Sequence, residues 1–246
     1  MFEALLESAK SVLEANWNGR FTKPAPGLYP HQWNWDAGFI AIGCAHYDMD
    51  RAEAELRALF QSQWSSGMLP QIVFGKEKDA RYFPGADFWQ TATSGLAPGS
   101  PPTSGITMPP VHGFALLRIY QIAKDKFRAK AFLKELYPKV LHLHRYLYRY
   151  RDPEEEGLMY IRHPWETGTD NSPTWDSVLE NIHPKKEELP PYVRQDLQNP
   201  EAALHRPTDL DYDRYVYLVD IFRKSRYDDE KIYEQCPFLV QDPLFN

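Results

Sequence analysis

Asp36-Ala37-Gly38-Phe39-Ile40-Ala41-Ile42-Gly43-Cys44-Ala45-His46-Tyr47 is apolar almost all the way round a helical wheel. A helix without a polar face belongs inside a protein. Directly after it, Asp50 and Glu53 form a capping-box-like start for a second helix carrying Ala54, Leu56, Leu59 and Phe60. A buried helix followed by an amphipathic one is the unit of an α/α toroid, in which inner helices are ringed by outer ones.

The same reading extends in both directions. Phe2, Leu5, Leu6, Ala9, Val12 and Leu13 keep the i, i+3, i+4, i+7 spacing of an amphipathic helix. Pro109-Pro110 precede an apolar helix over roughly residues 111–125. Residues 128–137 and 138–151 read as two helical stretches, with Pro138 in a first turn. Ser172-Pro173 is an N-cap and N1 pair for a helix across 173–182. Thr208 caps a helix whose face is Tyr212, Tyr215, Val216, Val219 and Phe222. Strand signals are weak, with Ile72–Phe74 the best. The fold class expected is therefore all-α, a single domain over residues 1–246, with no strict repeat of the solenoid kind.

Composition narrows the function. The chain has 43% apolar and 25% charged residues, a globular balance, and no apolar run long enough for a membrane span. The net charge of −6 without basic runs argues against nucleic acid. Two cysteines, Cys44 and Cys236, both in apolar surroundings, give no disulfide framework and suit a cytoplasmic protein. No leader peptide is readable over Met1 to Lys10. The 21 prolines outnumber the 13 glycines, which favours long ordered loops over floppy linkers. The 7 Trp, 15 Tyr and 13 Phe exceed what a core needs and point to a flat-faced ligand such as a sugar ring.

Those loops, at 18–35, 64–109, 152–172 and 184–207, carry the chemistry. Tyr29-Pro30-His31-Gln32-Trp33-Asn34-Trp35-Asp36 offers aromatic faces to sugar C–H groups and polar side chains to its hydroxyls. It reads equally as a helix start with packed tryptophans. Gly67-Met68-Leu69-Pro70-Gln71-Ile72, Arg81-Tyr82-Phe83-Pro84 and Thr103–His112 are loops feeding elements, and each alone reads as structural. His163-Pro164-Trp165-Glu166-Thr167-Gly168-Thr169-Asp170-Asn171-Ser172-Pro173-Thr174-Trp175-Asp176 is sharper. Two carboxylates, Glu166 and Asp170, flank a glycine turn. A carboxylic acid walled by Trp165 and Trp175 would have a raised pKa and donate a proton at neutral pH. The competing reading makes Asp170 and Ser172 plain helix caps. The spacing of Asp170, Asn171 and Asp176 fits no metal-ligand pattern, so neither metal nor cofactor is expected.

Together Trp35-Asp36-x-Gly38-Phe39, Gly67-x-Leu69-Pro70, Pro109-Pro110 and Glu166-x-Gly168-x-Asp170-Asn171-Ser172-Pro173-x-Trp175-Asp176 resemble, in order, the motifs of glycoside hydrolase family 63. Arg206-Pro207-Thr208-Asp209-Leu210-Asp211-Tyr212-Asp213-Arg214-Tyr215 is similar to a segment of its mannosylglycerate and glucosylglycerate hydrolase branch. The resemblance implies an (α/α)6 barrel, of which this chain represents the first half to two-thirds. It implies inverting hydrolysis of a small hexosyl-glycerate, a compatible solute, to hexose and glycerate. Asp170 would be the general acid. Tyr29, Gln32, Trp33, Trp35 and Asp36 would line the hexose subsite, and Tyr82, Arg206 and Tyr212 would receive the glycerate. The base would be a glutamate beyond residue 246. Met108 stands where some relatives carry a sugar-binding glutamine. The partner expected is a small glycoside, with homo-oligomer formation as the further expectation. Two other classes remain as alternatives: a silent sugar-binding module, and an epimerase or isomerase, which needs a histidine pair that His142 and His144, two apart and on different helix faces, do not make.

Overall fold

The computed structural model describes residues 2–75, 82–198 and 206–246. Arg81 lies outside the described residues. The first helix, α1 (Phe2–Asn16), buries no residue, and its Phe2, Leu5, Leu6 and Val12 face solvent. Strand β1 (Gln32–Trp33) leads straight into α2 (Asn34–Ala45), the apolar helix expected from sequence. Ala37, Gly38, Ala41, Cys44 and Ala45 are buried along it. These small residues let neighbours come close: a Cβ on Gly38 would meet Val111 Cγ2 at 3.0 Å.

α3 (Met49–Phe60) follows and packs on α2. Its N-cap is Asp48, whose carboxylate accepts from Arg51 N–H at 3.1 Å. This corrects the capping box read at Asp50 and Glu53. Those two carboxylates instead hold Arg128, Glu53 at 2.8 Å and Asp50 at 2.5 Å. They look across to another helix, so their spacing served a tertiary contact and not a cap.

After β2 (Ile72–Val73) and the short α4 (Ala86–Trp89), α5 (His112–Ile122) packs against α2. α6 (Lys126–Tyr150) is one continuous helix with Pro138 inside it. The expected break at Pro138 does not occur. Phe132, Leu136, Val140, Leu143 and Leu147 form one buried stripe at spacings of four, four, three and four, running past the proline. Burial of that stripe outweighs the roughly 3 kcal/mol that an interior proline costs.

Strand β3 (Tyr160–Ile161) precedes the loop that carries Glu166 and Asp170. Ser172 caps the next turn, its Oγ accepting from Thr174 N–H at 3.3 Å. A 3₁₀ turn at Pro173–Trp175 then runs into α7 (Asp176–Glu180). Thr208 and Asp211 make a full capping box at the head of α8 (Asp209–Lys224). α9 (Asp229–Gln235) and β4 (Val240–Gln241) complete the chain, β4 pairing antiparallel with β3. α2 and α5 keep open apolar surface, with Phe39 on α2 and Phe114 and Leu117 on α5 exposed.

Three loops zip together on one side. β1 pairs with β2 antiparallel, Gln32 opposite Val73 and Trp33 opposite Ile72. Val73 bridges to Thr103. Gln71 N–H donates to Ile106 O at 2.7 Å. Glu166 then pins the fourth loop to them. Its carboxylate accepts from Arg151 Nη1 at 2.8 Å and Nη2 at 2.7 Å, from Arg162 N–H at 2.7 Å and from Thr107 N–H at 3.1 Å. Glu166 and Arg151 side chains are 0% and 2% exposed. Burial pushes Glu166 up, but Arg151 and the two amides outweigh it and hold the carboxyl below its ordinary range. Arg151→Met would leave that charge buried and unpaired, a loss of about 3–5 kcal/mol. Thermal unfolding should show a drop of many degrees, partly recovered in Arg151→Met/Glu166→Leu; an unchanged melting temperature in the single variant would refute this role for the pair.

Candidate active site

The converged loops enclose a cavity of about 480 Å³. Of the side chains expected in a sugar site, Tyr29, Trp33, Tyr82, Asp170, Arg206 and Tyr212 line it. They come from segments far apart in sequence, brought together by the β1–β2 pairing, the Glu166 anchor and α8. Tyr29 meets Trp33 edge-on at 5.1 Å, and Trp33 meets Tyr82 edge-on at 5.4 Å. Opposite them Trp165 packs on Tyr212 at 6.0 Å and on Tyr215 at 5.5 Å. The result is a slot with aromatic walls and a few polar groups, the usual make-up of a small-molecule site.

Gln32, Trp35 and Asp36 are not among the lining residues. Gln32 is buried, its Nε2 donating to Glu55 Oε1 at 2.8 Å and to Glu55 O at 2.9 Å. Its amide therefore holds α3 to β1. Trp35 packs against Gly168, where any Cβ would collide with the indole. Gly168 also has φ +80°, a conformation glycine takes without strain. Asp36 sits beside it, and burial raises its carboxyl above the ordinary range. Asp36 and the Asp170 loop thus share one end of the molecule. Met108 is in the hydrophobic core. His142 and His144 lie on α6 and neither lines the cavity.

Asp170 is the chemically distinctive group. Burial pushes its carboxyl up to about 6, against the pull of the Arg206 charge. It is not the cap of the following turn, since Ser172 performs that task. It stands between two cavities: Trp165 lines the first with it, and Trp175 lines the second, of about 430 Å³. The loop itself is fixed from behind by Thr167 Oγ1, which donates to Asp242 Oδ2 at 2.9 Å. Arg206 faces the first cavity with no ion-pair partner among the described residues, and its Nε is buried without a hydrogen bond. Arg194 is the contrast. It sits over the Tyr212 ring at 4.5 Å and is occupied by Asp196 at 2.6 Å and Asp209 at 2.9 Å.

Sequence reading gave no site role to several lining residues, Gln71 and Asp196 among them. The only signal for Gln71 was a lone polar side chain between Pro70 and the apolar Ile72. Asp196 had none, lying in a loop without periodicity. Among the described residues no cluster of His, Cys, Asp or Glu is arranged to hold a metal ion, and no helix is long and apolar enough to cross a membrane.

The Asp170 environment has a consequence for stability. A carboxyl raised in the folded state favours folding while protonated, fully so below its ordinary 3.8, and that contribution is lost as pH rises through about 6. Asp170→Asn carries no charge to bury. Its melting temperature relative to the unsubstituted protein should climb between about pH 4 and pH 6 and then level off, by up to about 3 kcal/mol in stability. A difference that does not vary with pH would contradict the raised carboxyl.

The model of the mannosylglycerate hydrolase MGH1-like glycoside hydrolase domain matches residues 29–246. A mannosylglycerate hydrolase of Rubrobacter radiotolerans is 48% identical over 99% of this chain and 55% of its own length. A glucosylglycerate hydrolase of Mycolicibacterium hassiacum is 43% identical over 98% of this chain and 55% of its own. The crystal structure of the family 63 mannosylglycerate hydrolase from Thermus thermophilus in complex with Tris and D-glycerate superposes with a TM-score of 0.86, at 46% identity, over 97% of this chain and 55% of that one. The chain spans about half the length of the curated relatives it matches. On the family match, the shared sequence and the common fold, the chain belongs to the MGH1-like glycoside hydrolases of family 63.

Proposed function

We propose that this chain forms the general-acid side of the active site of an inverting hexosylglycerate hydrolase built on an (α/α)6 barrel. The observation that carries the reading is the pairing, in one aromatic-walled cavity, of a carboxyl raised to about 6 with a guanidinium that has no carboxylate partner among the described residues. The first is a proton donor near neutral pH. The second is a cation left for an anion.

Hydrolysis of a glycoside needs a proton on the leaving oxygen as the C1–O bond breaks. Asp170 would supply it, and the departing glycerate would leave as an alcohol. Arg206 would grip the glycerate carboxylate through two N–H donors, with Tyr82 and Tyr212 donating to the same end. Trp33, Tyr29 and Trp165 would receive the apolar sugar faces. Inversion requires a second carboxylate about 6.5–9.5 Å from the first, with a water between. Glu166 is unsuited to that task, because both its oxygens are engaged by Arg151, Arg162 and Thr107. The resemblance would place the base on a glutamate beyond residue 246. The family membership, and mannosylglycerate and glucosylglycerate hydrolases among the relatives, support the substrate class. The unpartnered apolar surface of α1, α2 and α5 supports a ring completed by further structure.

In the full-length protein, Asp170→Asn should keep the shape and lose about 10²–10⁴ in turnover of mannosylglycerate or glucosylglycerate. The unsubstituted enzyme should lose kcat/KM as pH rises above about 6, because the acid must be protonated. Release of free hexose, measured across pH, checks both. Near-normal turnover in Asp170→Asn would overturn the assignment.

A further inference from the structure

Gln71 is fastened on three sides. Its N–H donates to Ile106 O at 2.7 Å, and its carbonyl accepts from Asn34 N–H at 2.9 Å. Its side-chain Nε2 donates to the Trp165 carbonyl at 2.6 Å. A carbonyl only accepts, so the NH₂ end must face Trp165 and Oε1 must face elsewhere. Gln71 lines the 480 Å³ cavity beside Trp33, Ile72 and Trp165. Its Oε1 has no hydrogen-bond partner among the described residues. Unlike Gln32 Oε1, it is not sealed away from solvent. The residue as a whole is only 7% exposed, so its rotamer is already fixed. What remains is a preorganised acceptor on the cavity wall, next to the aromatic faces. Asp196, a carboxylate on the same wall, has both oxygens taken by Arg194 at 3.1 and 2.6 Å.

We infer that Gln71 is a sugar-binding residue whose Oε1 accepts a hydrogen bond from one hydroxyl of the hexose. The inference rests on the hexosylglycerate reading above. One amide then serves two ends of the reaction. Its oxygen holds the ring, and its nitrogen holds the turn that leads to Asp170, so the sugar and the acid keep a common register. A site that hydrogen-bonds a hydroxyl rejects the analogue that lacks it more strongly than an apolar wall does.

The test uses the full-length protein, with Gln71→Met and Gln71→Asn beside the unsubstituted enzyme. Substrates are mannosylglycerate and its 2-, 3-, 4- and 6-monodeoxy analogues, read as kcat/KM. The unsubstituted enzyme should lose roughly tenfold or more on one analogue in particular. Gln71→Met should lose a similar factor on the parent glycoside and nothing further on that analogue, since the contact is already gone. Gln71→Asn retracts the amide by one methylene and should flatten the profile at the same hydroxyl; it decides the matter if the methionine variant does not fold. A deoxy profile that survives in the folded variants, even at reduced rate, would show that Gln71 acts only through the Trp165 turn and overturn the inference. An unsubstituted enzyme that fails to hydrolyse the parent would sink the hydrolase reading alone. Gln71 would then be judged by calorimetric binding of free mannose and its monodeoxy forms, where loss of all discrimination in Gln71→Met supports the contact and unchanged discrimination refutes it.

Discussion

One buried carboxylate holds the site together. Glu166 joins the end of α6 through Arg151, the strand β3 region through Arg162 N–H and the 103–107 loop through Thr107 N–H. Remove it and the loop bearing Asp170 has little left to define its height above the cavity. The Gln71–Trp165 and Thr167–Asp242 bonds would be left to hold that turn. The network extends outward. Arg151 Nε reaches Tyr146 Oη at 3.4 Å, Tyr146 donates to Asp229 at 2.9 Å, and Asp229 pairs with Arg162. α6, α9 and the acid loop are therefore joined by one chain of buried polar contacts, in which Arg162 Nε alone is left without a partner among the described residues.

Glu166 and Asp170 are four residues apart, the first buried and the second half-buried, and they end with opposite protonation tendencies. Burial raises both. For Glu166, a bidentate guanidinium and two amides reverse the effect and keep it ionised. Asp170 has only its own amide and the Arg206 charge to oppose burial, and the carboxyl is left raised to about 6. Environments that push two carboxyls apart in this way separate a structural anion from a proton donor. The same division holds for the arginines: Arg194 is spent on Asp196 and Asp209, while Arg206 is kept open toward the cavity.

What could be read in the sequence was local. α2 announces itself because twelve adjacent residues lack a polar face. The Thr208 capping box and the Ser172-Pro173 start are contained within four residues each. Asp170 stood out because its motif is contiguous. Features that depend on distant partners were misread or unseen. Asp50 and Glu53 imitate a cap because the partner that explains them, Arg128, lies more than seventy residues on. Pro138 looks like a boundary unless the buried stripe from Phe132 to Leu147 is followed through it. Gln32 reads as a sugar ligand until Glu55 is seen beside it, and nothing in the sequence around Glu166 announces Arg151 as its partner. Gln71 gave little signal, since its meaning lies in a bond to Trp165 ninety-four residues later.

The most direct measurement is a crystal structure of the full-length Asp170→Asn protein holding intact mannosylglycerate. The glycosidic oxygen should lie within about 2.6–3.2 Å of the substituted side chain, the glycerate carboxylate on Arg206, and a second carboxylate about 6.5–9.5 Å from position 170 with a water between. A glycoside bound with its scissile oxygen remote from position 170, or with its carboxylate turned away from Arg206, would contradict these roles.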